Sequence, residues 1–154
     1  MNRIFLTCIA FVFCAGLGAQ PLLYPVKATG GVQYESSGWG FRPAMGGGGN
    51  IFHFGIDIAC KTGTPIVAVD SGKVVLCNSK DPTFGRMMLL ELESGYTVLY
   101  GHLSETWFAR GSSVSRGQVI GLTGNTGQST GPHLHFAILV NPALMLPSKK
   151  GGVE

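Results

Sequence analysis

Short apolar runs separated by glycine-bearing turns constrain the fold of this 154-residue chain more than any other feature. Six runs have the length of β-strands and are rich in β-branched or aromatic residues: residues 65–70, 73–77, 86–93, 96–103, 118–124 and 133–140. Turn signals separate several of them, as at Ser94-Gly95 and Arg116-Gly117. Only residues 103–110 have a composition that allows a helical turn or two, with Ser104 as a candidate N-cap. The pattern predicts one all-β domain, a compact antiparallel β-sheet.

The first nineteen residues have the layout of a secretory signal peptide. Asn2-Arg3 gives a short polar and basic start, an apolar run follows over residues 4–17, and small residues lie before Ala19. The run is shorter than the ~20 apolar residues of a spanning helix. We therefore expect cleavage near Ala19, no stable membrane span afterwards, and an exported protein, either in the periplasm and cell envelope or secreted.

The remaining chain divides into a domain over residues 37–146, an irregular lead-in over 20–36 and a short polar tail over 147–154. The run of four glycines at 46–49, just before His53, is either a plain surface loop or a mobile lip on a cleft. Without Arg3, ten Lys and Arg residues oppose eight Asp and Glu residues, a net charge of +2. This charge is too small to predict a nucleic-acid partner.

Two cysteines, Cys60 and Cys77, lie outside the signal segment with sixteen residues between them. In an exported protein such a pair can form a disulfide. A loop of that size would contribute about 3 kcal/mol of stability on the chain-entropy model. Two buried thiols on neighbouring strands are an equally good interpretation, and the sequence leaves both open.

All four histidines fall in three short segments, HFGID (53–57), YGHLS (100–104) and GPHLHF (131–136). Gly55 and the β-branched Ile56 oppose a helix in HFGID. In a strand, His53, Gly55 and Asp57 would share one face, and the missing side chain of Gly55 would leave room for an ion.

In GPHLHF, His133 and His135 would share the opposite face of a strand from Leu134 and Phe136. His53, Asp57 and one histidine of this pair make three protein ligands for zinc. Such a set leaves a fourth position for water, as in catalytic sites. His102 and the other histidine remain free to handle protons, a set that fits hydrolysis of an amide.

These segments together resemble the lysostaphin-type zinc endopeptidases, the M23 or LytM-like family. The resemblance runs through SSGWGFRP (36–43), HFGIDIA (53–59), GTPIVAVDSGKVV (63–75), LYGHLS (99–104) and VSRGQVIGLTGNTGQSTGPHLHF (114–136). It implies an all-β fold of the LytM, duplicated-hybrid-motif type, with a groove that holds a zinc site. It also implies that His53, Asp57 and His135 bind Zn²⁺, that His102 and His133 are the catalytic pair, and that peptidoglycan peptides are the substrate.

Two departures from the family pattern matter. Many relatives continue HLHF with an acidic residue and a hairpin, whereas here Ala137 to Val140 leads into Asn141-Pro142. No wall-binding module accompanies the domain in this sequence, so an envelope partner protein is expected to supply targeting.

Two other classes of protein share features with this sequence. A noncatalytic LytM-like regulator of amidases would keep the fold and lose ligands, but all five expected residues are present. Carrier domains of the sugar-phosphotransferase or biotinyl type share short segments with this sequence. Their partners are cytoplasmic, however, so the expected signal peptide opposes this interpretation. Tyr100 and Ser129-Thr130 have two equally open interpretations: they shape the loop beside the HLH pair, or they serve only in strand packing and turn formation. Arg42 and Asn125 have no assigned role.

Overall fold

The computed structural model describes residues 20–27, 33–44 and 49–139, and within them every strand pairing is antiparallel. The described residues form no helix. Their strands, in chain order, are β1 Tyr34–Ser37, β2 Gly40–Pro43, β3 Asn50–His53, β4 Ile56–Ala59, β5 Pro65–Val67, β6 Gly72–Asp81, β7 Gly85–Leu92, β8 Thr97–Leu103, β9 Glu105–Thr106, β10 Ser113–Val114, β11 Val119–Leu122 and β12 His133–Leu139. The predicted all-β fold and each of the six predicted strands are confirmed.

Three sheets make up the domain. A seven-stranded sheet has the order β1-β4-β12-β8-β7-β6-β10, a three-stranded sheet has the order β5-β11-β9, and β2 and β3 form a separate hairpin. The hairpin and the residues beside it carry exposed aromatic side chains, among them Trp39, Phe41 and Phe54. The two larger sheets enclose the main core.

That core contains side chains from one face of the large sheet, such as Ile58, Val98 and Leu134, packed with Ile66 and Ile120 of the small sheet. Because successive residues of a strand point to opposite faces, the other face of the large sheet carries Leu99 and Ala137 in a second, smaller cluster.

On β12, Leu134 and Phe136 face the main core, so His133 and His135 face the other side, as the sequence predicted.

The helical turn expected within residues 103–110 is wrong. Ser104 N–H donates to Leu122 O at 3.0 Å and Trp107 N–H to Ile120 O at 3.1 Å. These backbone groups are therefore satisfied by β11, and β9 forms instead of a helical turn. The Ser104 hydroxyl donates to Thr123 O at 2.8 Å rather than capping a helix.

Within the lead-in expected over residues 20–36, the described residues 20–27 and 33–36 are in part paired with the rest of the domain. Val26 is buried in the main core and forms an isolated bridge with Ile66, and β1 begins at Tyr34. The expected signal peptide, three of the four glycines of the 46–49 run, the polar tail and the chain beyond Leu139 lie outside the described residues. No helix in the described part of the chain is long and apolar enough to cross a membrane.

Both described cysteines are free thiols. The Cys60 thiol is buried and donates to Ile58 O, while the Cys77 thiol lies near Thr106 Oγ1. Burial raises the pKa of Cys60, with partial opposition from its hydrogen bonds, Thr123 first. The described residues therefore contain two separate thiols and no disulfide. The thiols are not on neighbouring strands, because Cys60 follows β4, Cys77 lies in β6, and these two strands are not adjacent in the sheet.

Tyr100 belongs to the core rather than to the loop beside the HLH segment. Its ring is fully buried, 5.4 Å from the ring of Phe136, and its hydroxyl oxygen accepts a hydrogen bond from Val69 N–H at 3.1 Å. Burial raises the pKa of this phenol, and the Val69 hydrogen bond opposes the change only in part.

The substitution Tyr100→Phe should lower the free energy of unfolding by about 1–3 kcal/mol, because it leaves the buried Val69 N–H without an acceptor. Urea denaturation followed by circular dichroism measures the change. Tyr34→Phe, at an exposed tyrosine of β1, is the matched control and should have little effect. Equal stability of the two variants would contradict the structural role given to the Tyr100 hydroxyl.

Candidate metal centre

Three buried side chains bring one ligand atom each to a single point on the sheet face away from the main core. His53 Nε2 lies 3.1 Å from Asp57 Oδ1 and 3.0 Å from His135 Nδ1, and the last two atoms are 2.9 Å apart. The predicted trio His53, Asp57 and His135 is thus brought together as a group that could hold a metal ion.

The pairing of β12 with β4 places two of these ligands. His135 is the register partner of Asp57 on one side and of Gly101, in β8, on the other. Directly opposed residues on one face have Cβ atoms about 4.5–5.5 Å apart. The side chains of His135 and Asp57 can therefore meet without distortion of either strand.

The third ligand comes from a different sheet, and here the single strand predicted for HFGID is wrong. His53 is the last residue of β3, and Asp57 lies in β4, so the chain changes sheets between them. Gly55 lies in the connection. A Cβ atom there would lie 2.5 Å from Phe136 O and 2.9 Å from His135 Nε2. Glycine is required because β12 passes so close, rather than because an ion fills the space.

Groups around the ligands fix their orientation. His53 Nδ1–H donates to Gly38 O at 2.7 Å, which leaves Nε2 as the nitrogen with a free lone pair. Arg42 Nη1 donates to Asp57 Oδ2 at 2.7 Å and to Ser37 Oγ at 2.8 Å. The second carboxylate oxygen is thereby occupied, and Oδ1 is directed towards the two histidines.

This donor set fits a cation. His53 Nε2 and Asp57 Oδ1 are both acceptors and face each other at 3.1 Å. Two acceptors this close require a positive charge or a shared proton between them. Imidazole nitrogen and carboxylate oxygen are both ordinary zinc ligands, and three protein ligands are typical of a catalytic zinc site. Among the described residues, the other ring nitrogen of His135 is buried without a hydrogen-bond partner.

The two remaining histidines lie beside the trio, with ring centroids of His102 and His133 4.6 Å apart. His102 Nδ1–H donates to Thr126 O and His133 Nδ1–H to Gly131 O, each at 2.7 Å. His133 Nε2 lies 3.5 Å from Asp57 Oδ1. All five residues singled out in the sequence therefore meet in one place, and the Nε2 atoms of the outer pair are not engaged by those carbonyls.

The electrostatics of the centre favour neutral rings at His102 and His135 and an ionised carboxylate at Asp57. Burial lowers the pKa of His102 to about 4, opposed by its bond to Thr126 and reinforced by His133 and His135. Burial likewise lowers the pKa of His135, against the attraction of Asp57. For Asp57, burial alone would raise the pKa, but hydrogen bonds from His135 and Arg42 outweigh it and hold that pKa well below its usual range.

Arg42 and the carbonyls of Gly38, Thr126 and Gly131 were missed as site residues by sequence reasoning. Arg42 lies in a segment that resembles the family, but only the fold shows that β2 brings it to Asp57. The carbonyls have no sequence signal at all, because every residue carries one. Asn125, the other residue without an assigned role, forms no side-chain contact that explains one.

Two histidines and one aspartate that could hold a metal ion, with a second histidine pair alongside, form an arrangement typical of metal-dependent hydrolases. Residues 51–147 match Peptidase family M23. The chain belongs to this family.

Solved structures agree with the assignment. The catalytic domain of lysostaphin from Staphylococcus simulans superposes with a TM-score of 0.65 and 38% identity, covering 70% of this chain and 80% of that one. A zinc-containing peptidase from Vibrio cholerae gives a TM-score of 0.64 at 36% identity, covering 75% of this chain and 35% of the other.

Among curated relatives, the peptidoglycan DD-endopeptidase ShyA of Vibrio cholerae is 42% identical over 88 residues, which is 57% of this chain and 20% of ShyA. Lysostaphin of Staphylococcus simulans is 38% identical over 105 residues, 68% of this chain and 21% of lysostaphin. The chain thus spans about a fifth of the length of these relatives.

The substitution Arg42→Gln should weaken zinc binding by about 10–100-fold, because Asp57 loses the charged donor that orients it. Competition with a chelator of known affinity measures the zinc dissociation constant directly. Arg110→Gln, at an exposed arginine outside the centre, is the control and should bind zinc as the unsubstituted protein does. Unchanged affinity in Arg42→Gln would show that Asp57 needs no such support.

Proposed function

We propose that this chain is an exported zinc endopeptidase that hydrolyses peptide bonds of bacterial peptidoglycan, in stem peptides or cross-links. The observation that carries the proposal is the convergence of His53 Nε2, Asp57 Oδ1 and His135 Nδ1 beside the His102–His133 pair. The substrate class is supported by relatives named as a peptidoglycan DD-endopeptidase, a glycyl-glycine endopeptidase and a DD-carboxypeptidase/endopeptidase.

His53, Asp57 and His135 would hold the ion. Zinc in such a site lowers the pKa of a bound water towards about 7 and polarises a carbonyl. The protein contributes the geometry around that chemistry. Arg42 keeps Asp57 ionised and fixed in orientation, and the Gly38 carbonyl keeps the correct nitrogen of His53 directed inwards.

His102 and His133 are the proposed catalytic residues. Each gives its Nδ1 proton to a backbone carbonyl, so each presents Nε2 as the atom that can accept a proton. During amide hydrolysis a proton must leave the attacking water and another must reach the departing amine. Two neighbouring imidazoles beside the ion can carry both transfers, one accepting while the other donates.

The proposed location and partner follow from the substrate. Peptidoglycan lies outside the cytoplasmic membrane, in agreement with the signal peptide expected over residues 1–19, so export to the periplasm, the cell envelope or the medium is part of the proposal. An envelope partner protein would direct the domain to its sites of action. A noncatalytic regulator of amidases is not favoured, because the ligand trio and the histidine pair are all retained.

Incubation of the zinc-loaded protein with purified sacculi tests the reaction itself. We expect soluble fragments with new amino termini in their peptides, identified by mass spectrometry. The double variant His102→Ala with His135→Ala serves as the control for contaminating hydrolases. Release of free lactyl ends would indicate an amidase instead, and sacculi left intact by the folded, zinc-loaded protein would contradict hydrolysis.

The division of roles among the histidines has its own test. Asp57→Ala and His135→Ala should lose zinc and activity together, because each removes one of three ligands. His102→Ala should retain zinc while kcat falls by about 10²–10⁴-fold, the contribution expected of a general acid or base. Zinc content by atomic emission and turnover on a soluble muropeptide measure the two effects. Loss of zinc from His102→Ala would show that its assignment is wrong.

A further inference from the structure

His102 has an unusual backbone conformation. Its φ angle is +60°, and it is the only non-glycine residue in the described part of the chain with a positive φ. Such a conformation costs of order 1–3 kcal/mol and persists only where surrounding contacts impose it. The contacts that impose it therefore decide where the His102 ring lies.

Two hydrogen bonds hold His102 directly. Its backbone N–H donates to Phe84 O at 2.8 Å, and its ring Nδ1–H donates to Thr126 O at 2.7 Å. The first bond fixes the main chain and the second fixes the ring. The ring bond also selects the tautomer in which Nε2 has the free lone pair.

Thr126 anchors this second bond through its own side chain. Its hydroxyl donates to Leu103 O at 3.0 Å, one residue beyond His102, and accepts from Arg86 N–H at 2.9 Å. The hydroxyl is thus placed between β7 and β8, while the carbonyl of the same residue reaches the imidazole. A single threonine joins the main chain beside His102 to the ring of His102.

The turn around Thr126 has little freedom to move. Gln128 N–H donates to Thr83 O at 2.8 Å. A Cβ atom at Gly127 would lie 2.3 Å from Gly85 N, and one at Gly85 would lie 2.4 Å from the carbonyl carbon of Thr126. Two glycines therefore allow backbone to pack on backbone, so the position of the Thr126 carbonyl depends on contacts from both sides.

We propose that Thr126 is a positioning residue that holds the His102 ring in its working tautomer and orientation, through the bridge its hydroxyl makes between β7 and β8. Thr126 itself does not touch the substrate. The proposal rests on the proposed function in so far as it concerns turnover, but the state of the His102 ring can be measured without any substrate.

The chain offers a closely matched control. Thr123 likewise has its hydroxyl between two backbone groups: it donates to Lys61 O at 2.7 Å and accepts from Thr64 N–H at 3.0 Å. It lies three residues before Thr126 but anchors the segment after β4 rather than either catalytic histidine. Loss of the Thr123 hydroxyl should weaken the fold without moving the His102 ring.

The test compares Thr126→Val, which keeps the shape and removes the hydroxyl, with Thr126→Ser, which keeps the hydroxyl, and with Thr123→Val. For Thr126→Val we expect full zinc content, little change in KM and a kcat lower by roughly 10–100-fold, the range expected for a displaced proton-transfer group. Thr126→Ser should restore kcat. Thr123→Val should lower the melting temperature and leave kcat near that of the unsubstituted protein.

Ring ¹⁵N chemical shifts of the zinc-loaded protein give the independent readout. The unsubstituted protein should show His102 protonated at Nδ1 alone, and Thr126→Val should show a mixture of tautomers for His102 with the His133 signals unchanged. A pure Nδ1–H state in Thr126→Val, or equal loss of kcat in Thr123→Val, would overturn the proposal. If Thr126→Val does not fold, an Nε2–H tautomer in the unsubstituted protein would still overturn it.

The two proposals fail separately. Inactivity of the unsubstituted protein on muropeptides, together with the expected ¹⁵N shifts and their change in Thr126→Val, would remove the peptidase function and leave the positioning role of Thr126 in place. Full activity of the unsubstituted protein, together with ¹⁵N shifts that do not change in Thr126→Val, would support the peptidase function and remove the positioning role of Thr126.

Discussion

The antiparallel pairing of β12 with β4 is the constraint on which the rest of this structure depends. It sets His135 opposite Asp57 on one face while Leu134 and Phe136 fill the core on the other. Because side chains alternate along a strand, a slip of one residue would exchange the two faces. Burial of two large apolar side chains therefore enforces the register that also assembles the metal ligands.

Close backbone approach is the second requirement, and glycine meets it at each critical point. Gly55 lets β12 pass the connection between β3 and β4, while Gly85 and Gly127 let two turns pack beside His102. Around these contacts, backbone carbonyls select the ring nitrogens of His53, His102 and His133 that face inwards. The chemistry of the centre thus depends on main-chain geometry as much as on the identity of its side chains.

Much of this arrangement could be predicted from the sequence because its signals are local. Strand-length apolar runs gave the sheet, and the alternation in HLHF gave the orientation of β12. The helical turn at 103–110 and the single strand at 53–57 failed because tertiary pairing decided them: β11 satisfied the backbone of β9, and the chain changed sheets at Gly55. Arg42 and Thr126 could not be identified from the sequence because each acts through a hydrogen-bond partner that is distant along the chain. Asp57 is 15 residues from Arg42, and Leu103 is 23 residues from Thr126.

The wide sequence separation of the ligands has a consequence for folding. His53 and His135 are 82 residues apart, yet their ring nitrogens lie 3.0 Å from each other. An ion bound to both closes most of the domain into one loop and restricts the unfolded chain as a covalent cross-link would. Both cysteines in the described part of the chain are free thiols, so a bound ion would be the cross-link between these distant segments. Supply of the ion would then affect resistance to unfolding as well as chemistry.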